Sequence, residues 1–270
     1  MTLALTRHAA VAAVVCVCAV AACSKENTVN IAGQAGTAVT PALPDCTDAG
    51  ASPASKGSPM GTVGNLSGEC FWIDLREVTN EDYGVFVASG FQLADPRCMW
   101  NTSPDPACDL PATDGGAPDP MLPARCVNWC DALAYCTWAG KTLCRGDISN
   151  PADAALSDWY SVCSHGQVNE MPYGAYQAGL CNGSDKGAGA PLRADDLPQC
   201  TTAEGVLNLS GNVAEWVDEC TGAQGAAAEC NTRGGSYASA YAAMRCSEAQ
   251  KFPRNARHGW VGFRCCAYPP

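Results

Sequence analysis

Asn208-Leu-Ser-Gly-Asn-Val-Ala-Glu-Trp216 lies between Cys200 and Cys220 and suits no regular element. Gly211 breaks a helix, Asn208 and Asn212 favour turns, and Glu215 is the only charge in the stretch. Turn residues that expose carbonyls, together with amides and one carboxylate, form a cradle for a hard cation. Ca²⁺ takes about 6–8 oxygen ligands, and main-chain carbonyls, Asn amides and a bidentate Glu are its usual suppliers. Asn208 and Glu215 are the candidate side-chain ligands, with main-chain oxygens from Gly211 and Val213. The competing reading is a tight turn with a solvated glutamate.

Further blocks flank this stretch. Downstream are Arg233-Gly-Gly-Ser-Tyr237 and Gly262-Phe-Arg264. Upstream are Glu77-Val-Thr-Asn80 with Tyr83 and Phe86, Trp129-Cys-Asp-Ala132 continuing to Tyr135-Cys-Thr-Trp138, then Asp158-Trp-Tyr160, Pro172-Tyr-Gly174 and Cys181-Asn-Gly183. In content and in order these blocks resemble the formylglycine-generating enzyme family, the sulfatase-modifying factor domains. The resemblance implies an irregular, C-type-lectin-related α+β fold, loop-rich and disulfide-rich, with short antiparallel strands and few helices. It also implies Ca²⁺ at the Asn208–Glu215 turn and makes Asn182 a second metal candidate.

The resemblance also locates where the family's chemistry belongs. In catalytic members two cysteines five residues apart follow the Gly-Gly-Ser-aromatic block and bind copper(I), a soft ion suited to thiolates. Those positions fall here on Ser239 and Met244. A hydroxyl is a poor ligand for a soft ion, and one thioether does not replace two thiolates, so copper is not expected. A slip of register to Cys246 offers a single thiolate, and Cys246 is expected to bridge Cys265 or Cys266. The family lays an extended peptide near this last segment. Arg233, Arg245, Arg254, Arg257 and Arg264 concentrate positive charge there, with Arg254 and Arg257 as groove candidates and Arg233 and Arg264 expected in buried ion pairs.

Residues 1–22 read as an export signal: a thin basic start at Arg7, then a short uncharged run ending in small residues. Val20-Ala-Ala-Cys23 looks like a bacterial lipobox, so Cys23 is the expected lipidation site, and Ser24 after it suggests the outer membrane of the cell envelope. The alternative is a plain cleaved signal. Residues 23–61 lack aromatics and are rich in Ala, Gly, Pro, Ser and Thr, the composition of a flexible tether. Residues 62–270 make one domain of ordinary size.

Removing Cys16 and Cys18 with the signal and Cys23 with the lipid leaves 16 of the 19 cysteines, an even number. An exported chain this rich in cysteine is a disulfide framework of up to eight bridges, with the pairing open beyond Cys46, for which Cys70 is one partner. Zinc lacks a CxxC knuckle, and His165 and His258 are the only histidines outside the signal. The same scarcity leaves few ways to build a histidine-based nucleophile. A net charge of −11 with no run of basic residues excludes nucleic acid as the expected partner. Among the elements, the strand-like run from Phe71 leads to Thr79 as N-cap of a helix over residues 80–88, and a second helix covers 132–139, stopped by Gly140. Residues 97–123 form a disulfide-pinned surface excursion.

The expectation is an exported lipoprotein carrying a Ca²⁺-stabilised, non-catalytic module that binds a peptide or a glycan. The alternative is a divergent oxidoreductase of the formylglycine-generating type acting on exported proteins.

Overall fold

In a computed structural model of the chain, two four-stranded sheets lie in succession along it, and at Arg264 the chain passes directly from the second back to the first. The structure describes residues 43–53, 55–108, 119–222 and 224–270. The export signal, Cys23 and the first part of the tether lie outside the described residues.

The first sheet has strand order β1-β2-β8-β3, from β1 (Met60–Gly64), β2 (Cys70–Asp74), β3 (Thr142–Leu143) and β8 (Cys265–Ala267). The second has order β6-β5-β4-β7, from β4 (Ala214–Cys220), β5 (Glu229–Arg233), β6 (Ala249–Pro253) and β7 (Val261–Phe263). β4 and β7 pair in parallel, and the other pairings are antiparallel. β7 ends at Phe263 and β8 begins at Cys265, so the chain passes from one sheet to the other at Arg264.

Two longer helices pack beside the sheets. In α1 (Asn80–Ala88) the Thr79 hydroxyl accepts the Asp82 amide, as its capping chemistry predicts, and Tyr83 and Phe86 are buried. α2 (Trp129–Trp138) starts earlier than its periodicity predicts. Asn128 and Asp131 form a reciprocal capping box, which adds a turn at the N-terminus. Gly140 follows with φ of 77°, the left-handed geometry expected after the last turn. Two shorter helices, α3 (Asp158–Cys163) and α4 (Tyr241–Met244), lie in the connections. The main apolar core joins α1, α2 and β7 through Tyr83, Phe86, Tyr135 and Phe263, whose neighbouring ring centroids lie 5.3–6.1 Å apart. Among the described residues no helix is long and apolar enough to cross a membrane.

Eight disulfides engage every cysteine among the described residues: 46–70, 98–130, 108–126, 136–265, 144–266, 163–246, 181–200 and 220–230. Cys246 therefore pairs with Cys163. The expected partners Cys265 and Cys266 lie on β8 of the first sheet and face opposite sides of it, where Cys136 and Cys144 take them. The tether also ends earlier than its composition suggests. Cys46 is stapled to Cys70, the Lys56 amide donates to the Ala139 carbonyl at 3.2 Å, and buried Lys141 reaches the Ser58 carbonyl at 2.9 Å. A bridge and buried hydrogen bonds order a segment whose side chains alone would not.

Candidate functional site

The Asn208–Trp216 stretch folds as a turn leading into β4, with left-handed φ values at Asn208 (57°), Gly211 (75°) and Asn212 (60°). A Cβ on Gly211 would stand 2.4 Å from the Asn182 carbonyl oxygen, so glycine alone fits there. The turn is sewn to its neighbours by main-chain bonds: Asn212 to Asn182, Gly211 to Gly234 and Tyr237 to Asn212, each 2.8–2.9 Å. The predicted metal residues Asn182, Asn208, Gly211 and Val213 are thus brought into one region, together with the Gly-Gly-Ser loop.

Their hydrogen bonds divide the expected ligand set. Asn208 Nδ2 donates to Glu77 and to the Ala194 carbonyl, both at 3.0 Å. Asn212 Nδ2 donates to the other oxygen of Glu77 at 2.8 Å. The Oδ1 atoms of Asn208 and Asn182 are buried and have no hydrogen-bond donor, the environment in which an acceptor oxygen gains most from a cation. Glu215, the expected charged ligand, is held by neighbouring side chains. Arg264 grips both of its carboxylate oxygens, at 2.7 and 2.6 Å, and Trp159 Nε1 donates to one of them at 2.7 Å. That guanidinium comes from 49 residues away in sequence.

Glu77, read in the sequence only as part of a block, is the residue that was missed. It is fully buried beneath the turn, and its carboxyl is raised to about 7, chiefly by burial and further by Glu215, against the opposing effect of Arg264. Two buried carboxylates therefore share one guanidinium. Fully ionised, the two carboxylates carry one more negative charge than Arg264 balances, and that charge together with the free amide oxygens fits a hard cation. Among the described residues no group of three or more His, Cys, Asp or Glu side chains converges in a way that could hold a metal ion.

The Gly-Gly-Ser loop follows β5 and forms a cavity. Gly234 and Gly235 have φ of 84° and 64°, and a Cβ on either would fall within 3 Å of a main-chain oxygen. The backbone then turns so that Ser236 N donates to Ser239 Oγ and Ser239 N to the Ser236 carbonyl, both at 2.9 Å. Ser236 and Ser239 line a cavity of about 290 Å³ with Ala214, Gln250 and Trp260. The two family copper positions therefore part company. Ser239 faces the cavity, whereas Met244 is buried in an apolar cluster with Met171 and the Cys181–Cys200 bridge.

The arginines expected to line a groove are structural. Arg254 is almost fully buried, its guanidinium 4.8 Å above Trp129 and bonded to the Gly225 carbonyl. Arg257 pairs with Asp131 at 2.7 Å and donates to the carbonyls of Ser103, Asp105 and Cys126. It clamps the 101–108 segment onto the start of α2. Arg233 and Arg264 are buried in ion pairs, as expected, with Glu219 and Glu215.

Residues 47–268 match the family description "Sulfatase-modifying factor enzyme 1-like domain". The chain is 27% identical to the formylglycine-generating enzyme of Bos taurus, with the alignment covering 74% of this chain and 66% of that protein. The chain thus spans just under two thirds of that relative's length. In fold it is similar to CarF (TM-score 0.55, 15% identity, 74% of this chain and 87% of that one). It is also similar to PvdO from Pseudomonas aeruginosa (TM-score 0.53, 20% identity, 78% and 89%).

Proposed function

The chain belongs to the sulfatase-modifying factor enzyme 1-like family, and from that premise we propose that its domain is a binding module, not a copper oxidase. One observation carries this reading. The position that should hold the first copper thiolate is Ser239 at a cavity wall, the second is Met244 in a separate apolar cluster, and every cysteine among the described residues is bridged. A thiolate is both the soft-metal ligand and the redox-active group, and a bridged sulfur is neither. The cavity is retained at the Gly-Gly-Ser loop, and it is there that the module takes its ligand.

Ca²⁺ at the neighbouring turn belongs to the same proposal. Asn208 and Asn182 would give their free Oδ1 atoms, the main chain of Gly211 and Val213 would add oxygens, and the Glu77–Glu215 pair would supply the charge. The cation's contribution is stability of the turn that carries the cavity loop. Eight disulfides support export, because such bridges persist in oxidising compartments. Lipidation at Cys23 would then hold the domain at the cell envelope by its tether.

The test is copper(I) titration of the mature, unreduced protein, together with an assay for oxidation of a cysteine in a model peptide. The expected result is no stoichiometric copper and no oxidation. The family's curated relatives are formylglycine-generating enzymes, so tight copper binding with turnover would establish the divergent oxidoreductase in place of the module.

A further inference from the structure

Trp260 is 40% exposed and lines the cavity beside the Gly-Gly-Ser loop. It is nevertheless held firmly. Its ring stacks on His258 with centroids 4.5 Å apart and planes 16° from parallel. His258 packs on Phe252 at 4.7 Å, and Phe252 meets the buried Trp216 edge-on at 6.3 Å. Four rings thus run from the core to the surface and end in a flat indole face fixed before any ligand arrives. Pre-organisation of this kind removes an ordering cost that binding would otherwise carry.

The chemistry of the wall narrows the ligand. The polar side chains at the cavity are Ser236, Ser239 and Gln250, all uncharged, in a chain whose net charge is −11. Among the described residues nothing that lines it attracts an anion, and no carboxylate lines it to hold a cation. Hydroxyls and a carboxamide serve as both donors and acceptors, matching a ligand rich in hydroxyl groups. The volume of about 290 Å³ falls just below the range for drug-sized ligand pockets, about 300–1,000 Å³, and suits a single ring with its substituents. The negative face of an indole attracts weakly positive C–H groups, which a saturated sugar ring presents together on one side. Burial lowers the His258 pKa, which keeps its ring neutral beneath the indole at neutral pH.

We propose that this cavity binds an uncharged sugar ring, its C–H face lying on Trp260 and its hydroxyls meeting Gln250, Ser236 and Ser239. The proposal rests on the reading of the domain as a binding module and names that module's ligand class. Trp260 acts as the platform and Gln250 as the group that orients the ring.

The test is a titration of the full mature chain, followed through the indole N–H signals in NMR spectra. The probes are the β-linked trisaccharides of glucose and of N-acetylglucosamine, the α-linked trisaccharide of glucose, and an uncharged proline-containing peptide. At least one trisaccharide is expected to shift the Trp260 signal. Trp260→Ala should weaken its binding at least about tenfold, the equivalent of 1.4 kcal/mol, and Trp260→Phe should restore most of it at an unchanged melting temperature. Binding of the peptide alone, lost in Trp260→Ala, overturns the sugar and leaves the binding module standing. Saccharide binding indifferent to Trp260 overturns the platform. Failure of all three saccharides overturns the proposal, and retained copper oxidation overturns the module beneath it.

Discussion

Replacing Arg264 with methionine removes the guanidinium and keeps most of the aliphatic volume. Glu215 loses bonds of 2.7 and 2.6 Å, and the carbonyls of Asp74 and Leu207 lose donors at 3.0 and 2.7 Å. Removing one partner of a buried ion pair costs about 3–5 kcal/mol, and a buried carbonyl left without a donor about 1–3 kcal/mol. These costs do not add in full, because Glu215 can take up a proton and the turn can relax. A net loss of about 4 kcal/mol is expected, a large part of the roughly 5–15 kcal/mol that holds a domain together. Urea unfolding with the bridges intact reads this directly. At a slope of about 2 kcal/mol per molar the midpoint falls by about 2 M. Arg264→Met/Glu215→Gln should recover a substantial part of the loss, since it removes the stranded charge. A single variant within 1 kcal/mol of wild type, or a double variant no better than the single, would refute the view that this pair couples the sheets.

Four other outcomes follow from the same structure. Unreduced mature protein treated with a thiol-alkylating reagent should gain no mass, and a gain of two alkyl groups would expose an unbridged pair. Ca²⁺ at a hundredfold excess over its dissociation constant should stabilise the protein by about 2.7 kcal/mol. Asn208→Ala should abolish that increment and Arg257→Ala retain it, with thermal denaturation as the readout. Arg257→Ala itself should cost about 2–4 kcal/mol, because it takes the paired cation from a fully buried Asp131 and leaves it the Asn101 and Asn128 donors. Glu77, raised to about 7 from an ordinary carboxyl value, binds its proton more tightly folded than unfolded. In calcium-free buffer its contribution to stability is therefore present at pH 5 and lost as pH rises through 7. Wild type should lose ground to Glu77→Gln between pH 5 and 8, and a constant difference across that range would count against the burial argument.

Local signals carried the fold further than the site. Thr79 as an N-cap and Gly140 beyond α2 were legible because each acts within one turn of its own position. The earlier start of α2 was written in the same alphabet, as Asn128 and Asp131 three residues apart, but the Trp-Cys between them resembles loop as much as helix. The turn at Asn208 was legible from its glycine and asparagines. Its electrostatics were not. Glu215 finds Arg264 49 residues on, and Asn208 finds Glu77 131 residues back, and neither separation leaves a mark on sequence spacing. A cluster of arginines in sequence likewise says nothing of depth, and Arg254 proved to lie beneath the surface. Trp260 could not be singled out, since an exposed and a buried tryptophan are written identically.

Adjacent Cys265 and Cys266 on β8 close loops of 129 and 122 residues, to Cys136 and Cys144, while Cys163 waits 83 residues for Cys246. A chain emerging from its N-terminus presents three thiols to the oxidant long before their partners exist, with shorter and wrong closures entropically favoured meanwhile. The strand that resolves this competition is one of the two interior strands of its sheet and the last of them to arrive. Native pairing is then a matter of exchange and not of first encounter. The yield of natively bridged protein should depend on a disulfide isomerase far more than on the supply of oxidant, with refolding on the timescale of reshuffling, seconds to hours.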